Sequence, residues 1–111
     1  MTDDVVVSTI EGAVGLITIN RADKFNCLSM AVHQGLQDAL KTHEANANIR
    51  VILLCSEGAH FCTGADLGEV QDKVASKDEQ ALKVFIELGH KTCVGFEKAV
   101  CPLLALYKAF V

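Results

Sequence analysis

The sequence predicts an α/β fold in which short β-β-α units build a mostly parallel sheet. Two β-branched runs stand close together near the start, an amphipathic helical stretch follows them, and a nearly continuous apolar run comes next. Such an apolar run suits a strand that is covered on both faces, as parallel strands joined by helical crossovers are. The 111 residues suffice for one domain with a modest core.

The first half of the chain yields three elements in order. Residues 5–10 and 14–20 are the β-branched runs, and Gly12 in the short segment between them predicts a hairpin. Hydrophobic residues then recur every three or four positions over residues 29–45, which predicts an amphipathic helix. Residues 49–55 are the apolar run and predict a buried strand.

The second half is predicted to add two helices and a strand. One helix should begin shortly after Gly64. Ser76 and Glu79 have the spacing of a capping box and predict the start of a long helix, which Pro102 would end. Residues 103–107 then read as a short buried strand. The apolar face of the long helix would carry Leu82, Phe85, Gly89, Cys93, Phe96 and Val100.

Composition and charge exclude several classes of function. Half of the residues are hydrophobic, which excludes intrinsic disorder, but only 5% are aromatic, so the core must be aliphatic. Ten basic residues against fourteen acidic ones give a net charge of -4, which offers no field for nucleic acid or an anionic membrane. An acidic start and the lack of a long apolar run indicate a cytoplasmic protein without a targeting or membrane segment.

The cysteines and histidines predict neither a disulfide framework nor a metal site. The five cysteines are odd in number and none forms a C-x-x-C pair, so reduced thiols are expected. Cys55 and Cys93 fall on apolar faces and are expected in the core. The four histidines show no spacing that would hold a metal.

The stretch from Gly64 to Glu69 is the first candidate site. Asp66 and Glu69 stand three residues apart, as an N-cap and its reciprocal partner do at a helix start. Free backbone N–H groups at such a place can bind an anion or stabilise a negative charge that develops in a transition state. Gly64 permits a positive φ or a close approach of a ligand. The alternative is a cap that only starts a helix.

The second candidate site is the loop of residues 20–28, which contains Arg21 and Lys24 in an otherwise acidic chain. A ligand with several phosphates would bind such cations, whereas solvated surface charge is the alternative interpretation. His60 and Cys62 could instead suggest a thiol nucleophile with a base. That hypothesis is disfavoured because no third group is available to orient them.

Together these stretches resemble the enoyl-CoA hydratase/isomerase (crotonase) family. The family pattern N-R-P-x-x-x-N-A-L corresponds to Asn-Arg-Ala-Asp-Lys-Phe-Asn-Cys-Leu at residues 20–28, and F-C/S-A-G-A-D-L corresponds to Phe-Cys-Thr-Gly-Ala-Asp-Leu at residues 61–67. A third stretch, residues 102–111, is similar to K-P-x-I-A-A-V-N-G-x-A. This chain departs from the pattern at Ala22, Cys27, Thr63, Cys101 and Lys108-Ala109.

The resemblance implies a crotonase-like (ClpP/crotonase) fold and an acyl-CoA thioester as the substrate. The backbone N–H of Ala65 would be one of two oxyanion-hole donors. Coenzyme A would enter as part of the substrate, with no further cofactor, and the full-length parent would be a homo-oligomer, a trimer or hexamer. The other residues implied to contact coenzyme A are Arg21, Lys24, Cys62, Thr63, Gly64 and Asp66, with Lys24 favoured for a phosphate and Asp66 mainly a helix cap.

The resemblance also implies that residues 1–111 are the amino-terminal part of such a domain, with a partial fold. The glycine-rich turn with the second donor, the acid and base carboxylates and the carboxy-terminal helices would lie beyond Val111. Two functions therefore stay open: an acyl-CoA-transforming enzyme of the enoyl-CoA hydratase/isomerase type, inactive as this chain alone, or a truncated, non-catalytic protein that binds CoA or assembles with partner subunits. An unrelated small α/β binding domain is the third reading.

Overall fold

The computed structural model describes residues 4–97 and 103–105. Its strands are β1 (Val6–Glu11), β2 (Val14–Ile19), β3 (Val51–Ser56) and β4 (Leu103–Ala105), and its helices are α1 (Met30–Glu44), α2 (Leu67–Ala75) and α3 (Glu79–Glu97). The strands form one sheet in the order β1-β2-β3-β4, in which β1 is antiparallel to β2 and the other neighbours are parallel. The predicted α/β architecture with a mostly parallel sheet is confirmed.

Strands β1 and β2 form the predicted hairpin. Glu11 pairs with Val14 next to the turn, and Gly12 in the turn has φ +59°. This left-handed conformation is open to glycine without the strain that a Cβ would cause. The tight connection fixes the register of the two strands.

Helix α1 has the predicted limits and supplies most of the core. The Ser29 hydroxyl accepts the Val32 N–H at 3.2 Å and caps the helix, as serine does at this position in many helices. The helix then crosses from β2 to its parallel neighbour β3. The buried core between helix and sheet consists of Ile17, Ile19, Val32, Leu36, Ala39, Leu40, Ile49 and Ile52.

Strand β3 is not buried equally on both faces within the described residues. Ile52 is fully buried, whereas Leu53 and Cys55 on the opposite face are only half-buried. These two residues pair with Leu16 and Thr18 of β2. The prediction of a strand covered on both faces is therefore wrong for the described part of the chain, because α1 covers a single face.

Helix α3 begins at a different cap from the predicted one. Asp78, not Ser76, caps it, and its carboxylate accepts the Ala81 N–H at 2.9 Å. Ser76 instead ends α2 and donates its hydroxyl to the Lys73 carbonyl. Lys77 between them has φ +56°, which ends the first helix and leaves Asp78 to cap the second.

The face of α3 that packs on α1 agrees with the predicted one at Phe85 and Gly89 and departs from it at Cys93. Phe85 and Thr92 are buried, while Cys93 is exposed, so the expectation of a core Cys93 is wrong. The reason is that the Thr92 hydroxyl has hydrogen-bond partners on both helices. It donates to the Leu88 carbonyl of α3 at 3.0 Å and accepts from the Gln37 side chain of α1 at 3.1 Å. A Thr whose hydroxyl is satisfied in this way is stable in a buried position.

His33 of α1 completes this interface. Its Nδ1 lies 3.1 Å from the Thr92 hydroxyl oxygen. With the hydroxyl proton directed to the Leu88 carbonyl, the Nδ1–H tautomer of His33 is the one that can donate to Thr92. Burial lowers the pKa of His33, and the nearby charge of Glu69 opposes this shift in part.

The remaining predictions concern the end of the chain and the thiols. Residues 103–105 form the predicted strand, whereas Pro102, Cys101 and residues 106–107 lie outside the described residues. Cys27, Cys55, Cys62 and Cys93 are free thiols.

Candidate functional site at the carboxyl ends of two strands

The sheet topology brings the two candidate stretches together. Strands β2 and β3 are parallel neighbours, so the loops that follow them, residues 20–28 and 57–66, leave the sheet at the same edge. A single parallel bridge between Leu28 and Ala65 joins the loops. The helices α1 and α2 therefore begin side by side, just after the bridge.

The bridge leaves the Ala65 amide unpaired. Its two hydrogen bonds run from the Leu28 N–H to the Gly64 carbonyl at 2.7 Å and from the Asp66 N–H to the Leu28 carbonyl at 3.0 Å. In a parallel pairing the central residue directs its own N–H away from the neighbouring strand. Ala65 is exposed and its N–H donates to no group in the described part of the chain.

Gly64 adopts the conformation that its sequence position suggested. Its φ is +97°, and a Cβ built on it would meet nothing within 4 Å. The glycine is therefore required by backbone conformation and not by a crowded neighbour. Its carbonyl is fixed by the bridge, so the turn presents the Ala65 amide in a defined direction.

Asp66 caps α2, as predicted, and also binds Arg21. One carboxylate oxygen accepts the Glu69 N–H at 3.2 Å, and the other lies 2.8 Å from the Arg21 guanidinium. The hydrogen bond from Arg21 holds the pKa of Asp66 below its usual range. Burial is the largest single influence on the pKa of Arg21 and lowers it, but the hydrogen bond to Asp66 and the attraction of the neighbouring acidic groups together outweigh burial and raise that pKa.

The two predicted cations differ in what surrounds them. Arg21 also donates to the carbonyl and the thiol of Cys27 in its own loop, both at 3.2 Å. Together with the bond to Asp66 in the second loop, these contacts engage its guanidinium within the protein. Lys24 lies in a short 3-10 turn, Ala22–Lys24, and is exposed. It has no ion-pair partner among the described residues. Lys24 is thus the cation available to a ligand.

The turn of residues 61–64 lies against the Lys24 loop. The Thr63 hydroxyl donates to the Phe25 carbonyl at 3.1 Å, and the Phe25 ring meets the His60 ring edge-on at a centroid distance of 5.4 Å. Cys62 is half-buried, and its sulfur lies 3.5 Å from the Gly64 nitrogen. The structure therefore brings Cys62, Thr63 and Gly64 to the same edge as Lys24 and Ala65.

Glu69 does not pair with its own helix cap, contrary to the predicted reciprocal box. Its carboxylate accepts the Met30 N–H, at the first residue of α1, at 2.8 Å. The Asp66 N–H, which the box would have used, already donates to Leu28 across the bridge. The competing bridge is the physical reason for the difference.

Asn26 is a site residue whose role the sequence did not reveal. It is fully buried, its side-chain amide donates to the carbonyls of Glu57 and His60 at 2.6 Å each, and its side-chain oxygen accepts the Arg21 N–H at 2.9 Å. The side chain therefore fastens the second loop to the first. An Asn at the end of a loop motif was the available signal, but the partners of its amide group, Glu57 and His60, are more than 30 residues away.

Other chemistry suggested by the sequence finds no support in this geometry. The His60 ring meets Phe25 edge-on, and the Cys62 sulfur accepts the Gly64 N–H. Within residues 4–97 and 103–105, no three His, Cys, Asp or Glu side chains are grouped closely enough to hold a metal ion. No helix in this part of the chain has the length and apolar character needed to cross a membrane.

The fold is that of a known family. The family model for enoyl-CoA hydratase/isomerase matches residues 9–94, and the chain belongs to this family. The Bacillus subtilis (strain 168) protein YngF, named for enoyl-CoA hydratase/isomerase, is 31% identical over 106 residues, which are 95% of this chain and 39% of that protein. The 1,2-epoxyphenylacetyl-CoA isomerase of Escherichia coli (strain K12) is 34% identical over 58% of this chain and 24% of its own length.

Solved structures agree with the fold. An enoyl-CoA hydratase from Polaromonas sp. JS666 superposes with a TM-score of 0.83 and 26% identity, covering 90% of this chain and 38% of that one. An enoyl-CoA hydratase from Bacillus anthracis gives a TM-score of 0.80 and 29% identity, covering 91% and 38%. The chain thus has a partial crotonase-like fold and spans about two-fifths of the length of these relatives.

Proposed function

We propose that this chain forms the part of an enoyl-CoA hydratase/isomerase site that binds the nucleotide end of an acyl-CoA and the oxygen of its thioester. The observation that carries the proposal is the unpaired Ala65 amide at the start of α2, on the sheet edge that also holds Lys24. An acyl-CoA has a phosphate-rich end and a carbonyl, and both features find a partner here. Family membership makes acyl-CoA the natural ligand class.

The Ala65 N–H would stabilise the charge that develops on the thioester oxygen as an enolate forms. A backbone donor that is already in place costs no reorganisation during the reaction. The positive end of the α2 dipole adds to its effect. Coenzyme A is then part of the substrate, and the proposal includes no separate cofactor.

The lysine and the turn beside it would bind the rest of coenzyme A. Lys24 is exposed and suited to a phosphate. Cys62, Thr63 and Gly64 would lie along the adenine and pantetheine arm. Arg21 and Asp66 would act mainly on each other, because their 2.8 Å ion pair fixes both loops.

This chain alone is expected to bind without turning over substrate. Hydration of an enoyl-CoA needs a general acid or base within reach of the reacting carbon. The two carboxylates next to Ala65 are both engaged, Asp66 with Arg21 and Glu69 with Met30. Catalysis would draw on further groups, and a non-catalytic CoA-binding protein is the alternative function.

A binding titration tests the proposal. Butyryl-CoA and free coenzyme A would be titrated into the chain by calorimetry, with Lys24→Ala and, as a matched control, the exposed α3 lysine variant Lys83→Ala. Lys24→Ala should weaken both ligands by up to about fivefold, as expected for an exposed charge pair, and Lys83→Ala should change neither. No binding, or equal effects of the two variants, would contradict the proposal.

A turnover assay separates the enzyme from the alternative. Loss of the conjugated enoyl absorbance of crotonyl-CoA would be followed with this chain and with any longer form that contains it. Binding by both forms with turnover only by the longer form supports the proposal. Binding without turnover by either form favours the non-catalytic protein.

A further inference from the structure

Glu69 makes a connection that nothing in its own helix requires. Its carboxylate reaches across to accept the Met30 N–H of α1 at 2.8 Å. That N–H belongs to the first turn of α1, where backbone donors have no partner within the helix. An ionised acceptor at such a donor makes a strong hydrogen bond and also offsets the helix dipole.

The negative charge of Glu69 acts on two other groups, Arg21 in the loop and His33 in α1. It acts to raise the pKa of Arg21, which is bonded to Asp66, and it acts to raise the pKa of His33 in α1. The charge of this carboxylate therefore influences both the ion pair of the site and the α1–α3 interface. Its own helix α2 is capped by Asp66 without its help.

The bridge that orients Ala65 is weak by itself. It has two hydrogen bonds and no neighbouring ladder pairs. A slip of one residue in such a pairing would turn the Ala65 N–H toward the neighbouring strand. Contacts outside the bridge must therefore help to hold the register. Within the loops these are the Arg21–Asp66 ion pair and the hydrogen bonds of the Asn26 amide, and between the two helices it is the Glu69–Met30 hydrogen bond.

We propose that Glu69 is a positioning residue for the Ala65 amide. By hydrogen bonding the first residue of α1 to the first turn of α2, it keeps the Leu28–Ala65 bridge in register and the Ala65 N–H free. Its relevance to acyl-CoA rests on the proposed function, while the link itself does not.

The test measures amide hydrogen exchange and needs no ligand. Glu69→Ala should speed exchange of the Leu28 and Asp66 amides about tenfold relative to amides of the β2–β3 ladder, because a charge-assisted bond is lost. Glu69→Gln keeps an uncharged acceptor for Met30 and should therefore speed exchange clearly less than Glu69→Ala. Ser29→Ala is the matched control, because it removes another acceptor from the same turn of α1 without touching α2, and it should not affect the bridge selectively.

Two results would overturn the proposal. One is bridge exchange in Glu69→Ala that equals wild type or that matches Ser29→Ala, and the other is a Glu69→Gln variant that behaves like Glu69→Ala. If Glu69→Ala does not fold, Glu69→Asp serves instead: its shorter side chain withdraws the carboxylate from the Met30 N–H, so exchange at the bridge should speed up relative to the β2–β3 ladder, and exchange equal to wild type refutes the link. Correct exchange behaviour without acyl-CoA binding would refute the proposed function and leave the link intact.

Discussion

Single residues determine how the backbone is presented at the candidate site. Ala65 has a free amide because its neighbours Gly64 and Asp66 supply the bridge bonds. Gly64 tolerates the positive φ that the turn needs. Asp66 forms an ion pair with Arg21. Of the two cations Arg21 and Lys24 in the described site, Lys24 is therefore the one that is available to a ligand.

Local chemistry made some of these residues predictable and long-range contacts hid others. The Asp66 cap depends on a residue three positions away, and the positive φ of Gly64 depends on its lack of a Cβ. Both features could therefore be predicted from the local sequence. Glu69 contacts Met30 across 39 positions, and Asn26 contacts Glu57 across 31. Such partners depend on the sheet topology, which brings the loops together only in the folded chain.

The buried His33 makes the stability of the protein pH-dependent. Because burial lowers its pKa, the unfolded chain binds more protons than the folded chain between the folded pKa and the usual value of about 6.5. The free energy of unfolding should therefore fall as the pH drops below about 6.5 and stop falling below the folded pKa. The contribution of the buried neutral His33 to the free energy of unfolding is fully present above the pKa that this group has in the unfolded chain.

Urea unfolding at a series of pH values measures this effect. His33→Gln should reduce the loss of stability between neutral and mildly acidic pH, while also costing about 1 kcal/mol at neutral pH through the weakened bond to Thr92. His90→Gln on the exposed side of α3 is the control and should follow the wild-type curve. An unchanged pH dependence in His33→Gln would contradict the assignment.

At the scale of elements, periodicity predicted α1 and the hairpin well, and it predicted the inward face of α3 correctly at Phe85 and Gly89 but not at Cys93. The apolar stripe through Cys93 is displaced toward Thr92 because α1 offers His33 and Gln37 as hydrogen-bonding partners. A hydrophobic pattern counts apolar residues and carries no information on such polar pairing. Capping has the same limit, since Asp78 replaced Ser76 once Lys77 ended α2.

Two helical glycines should respond in opposite directions to the same substitution. A Cβ at Gly89 of α3 would lie 3.4 Å from the His33 ring, an ordinary contact, so Gly89→Ala should stabilise the protein by up to about 1 kcal/mol through helix propensity. A Cβ at Gly35 of α1 would lie 2.8 Å from Val6 of β1. Gly35→Ala should therefore destabilise the protein by about 1–3 kcal/mol through overpacking.

Thermal and urea unfolding of the two variants provide the comparison. Each glycine serves as the other's control, because propensity favours alanine equally at both positions. Stabilisation of both variants would contradict the close packing of α1 on β1 at Gly35. Destabilisation of both would contradict the looser contact between α1 and α3 at Gly89.

For the whole molecule, the decisive property is that neighbouring parallel strands end at one edge. The order β1-β2-β3-β4 places the loops after β2 and β3 side by side, and the alternation of β-branched runs with helical periodicity was enough to predict such a sheet. The face of the sheet away from α1 was predicted incorrectly. Leu53 and Cys55 read as buried from an apolar run, yet they are half-buried in the described residues because burial depends on what covers the sheet.

The chemical shift of the Ala65 amide tests the central proposal most directly. In a ¹⁵N–¹H titration, butyryl-CoA should move the Ala65 amide proton downfield as it bonds the thioester oxygen, while free coenzyme A, which has no thioester, should shift resonances near Lys24 and leave Ala65 in place. An Ala65 amide that does not respond to butyryl-CoA at concentrations that shift the Lys24 loop, or that responds equally to free coenzyme A, would contradict the account.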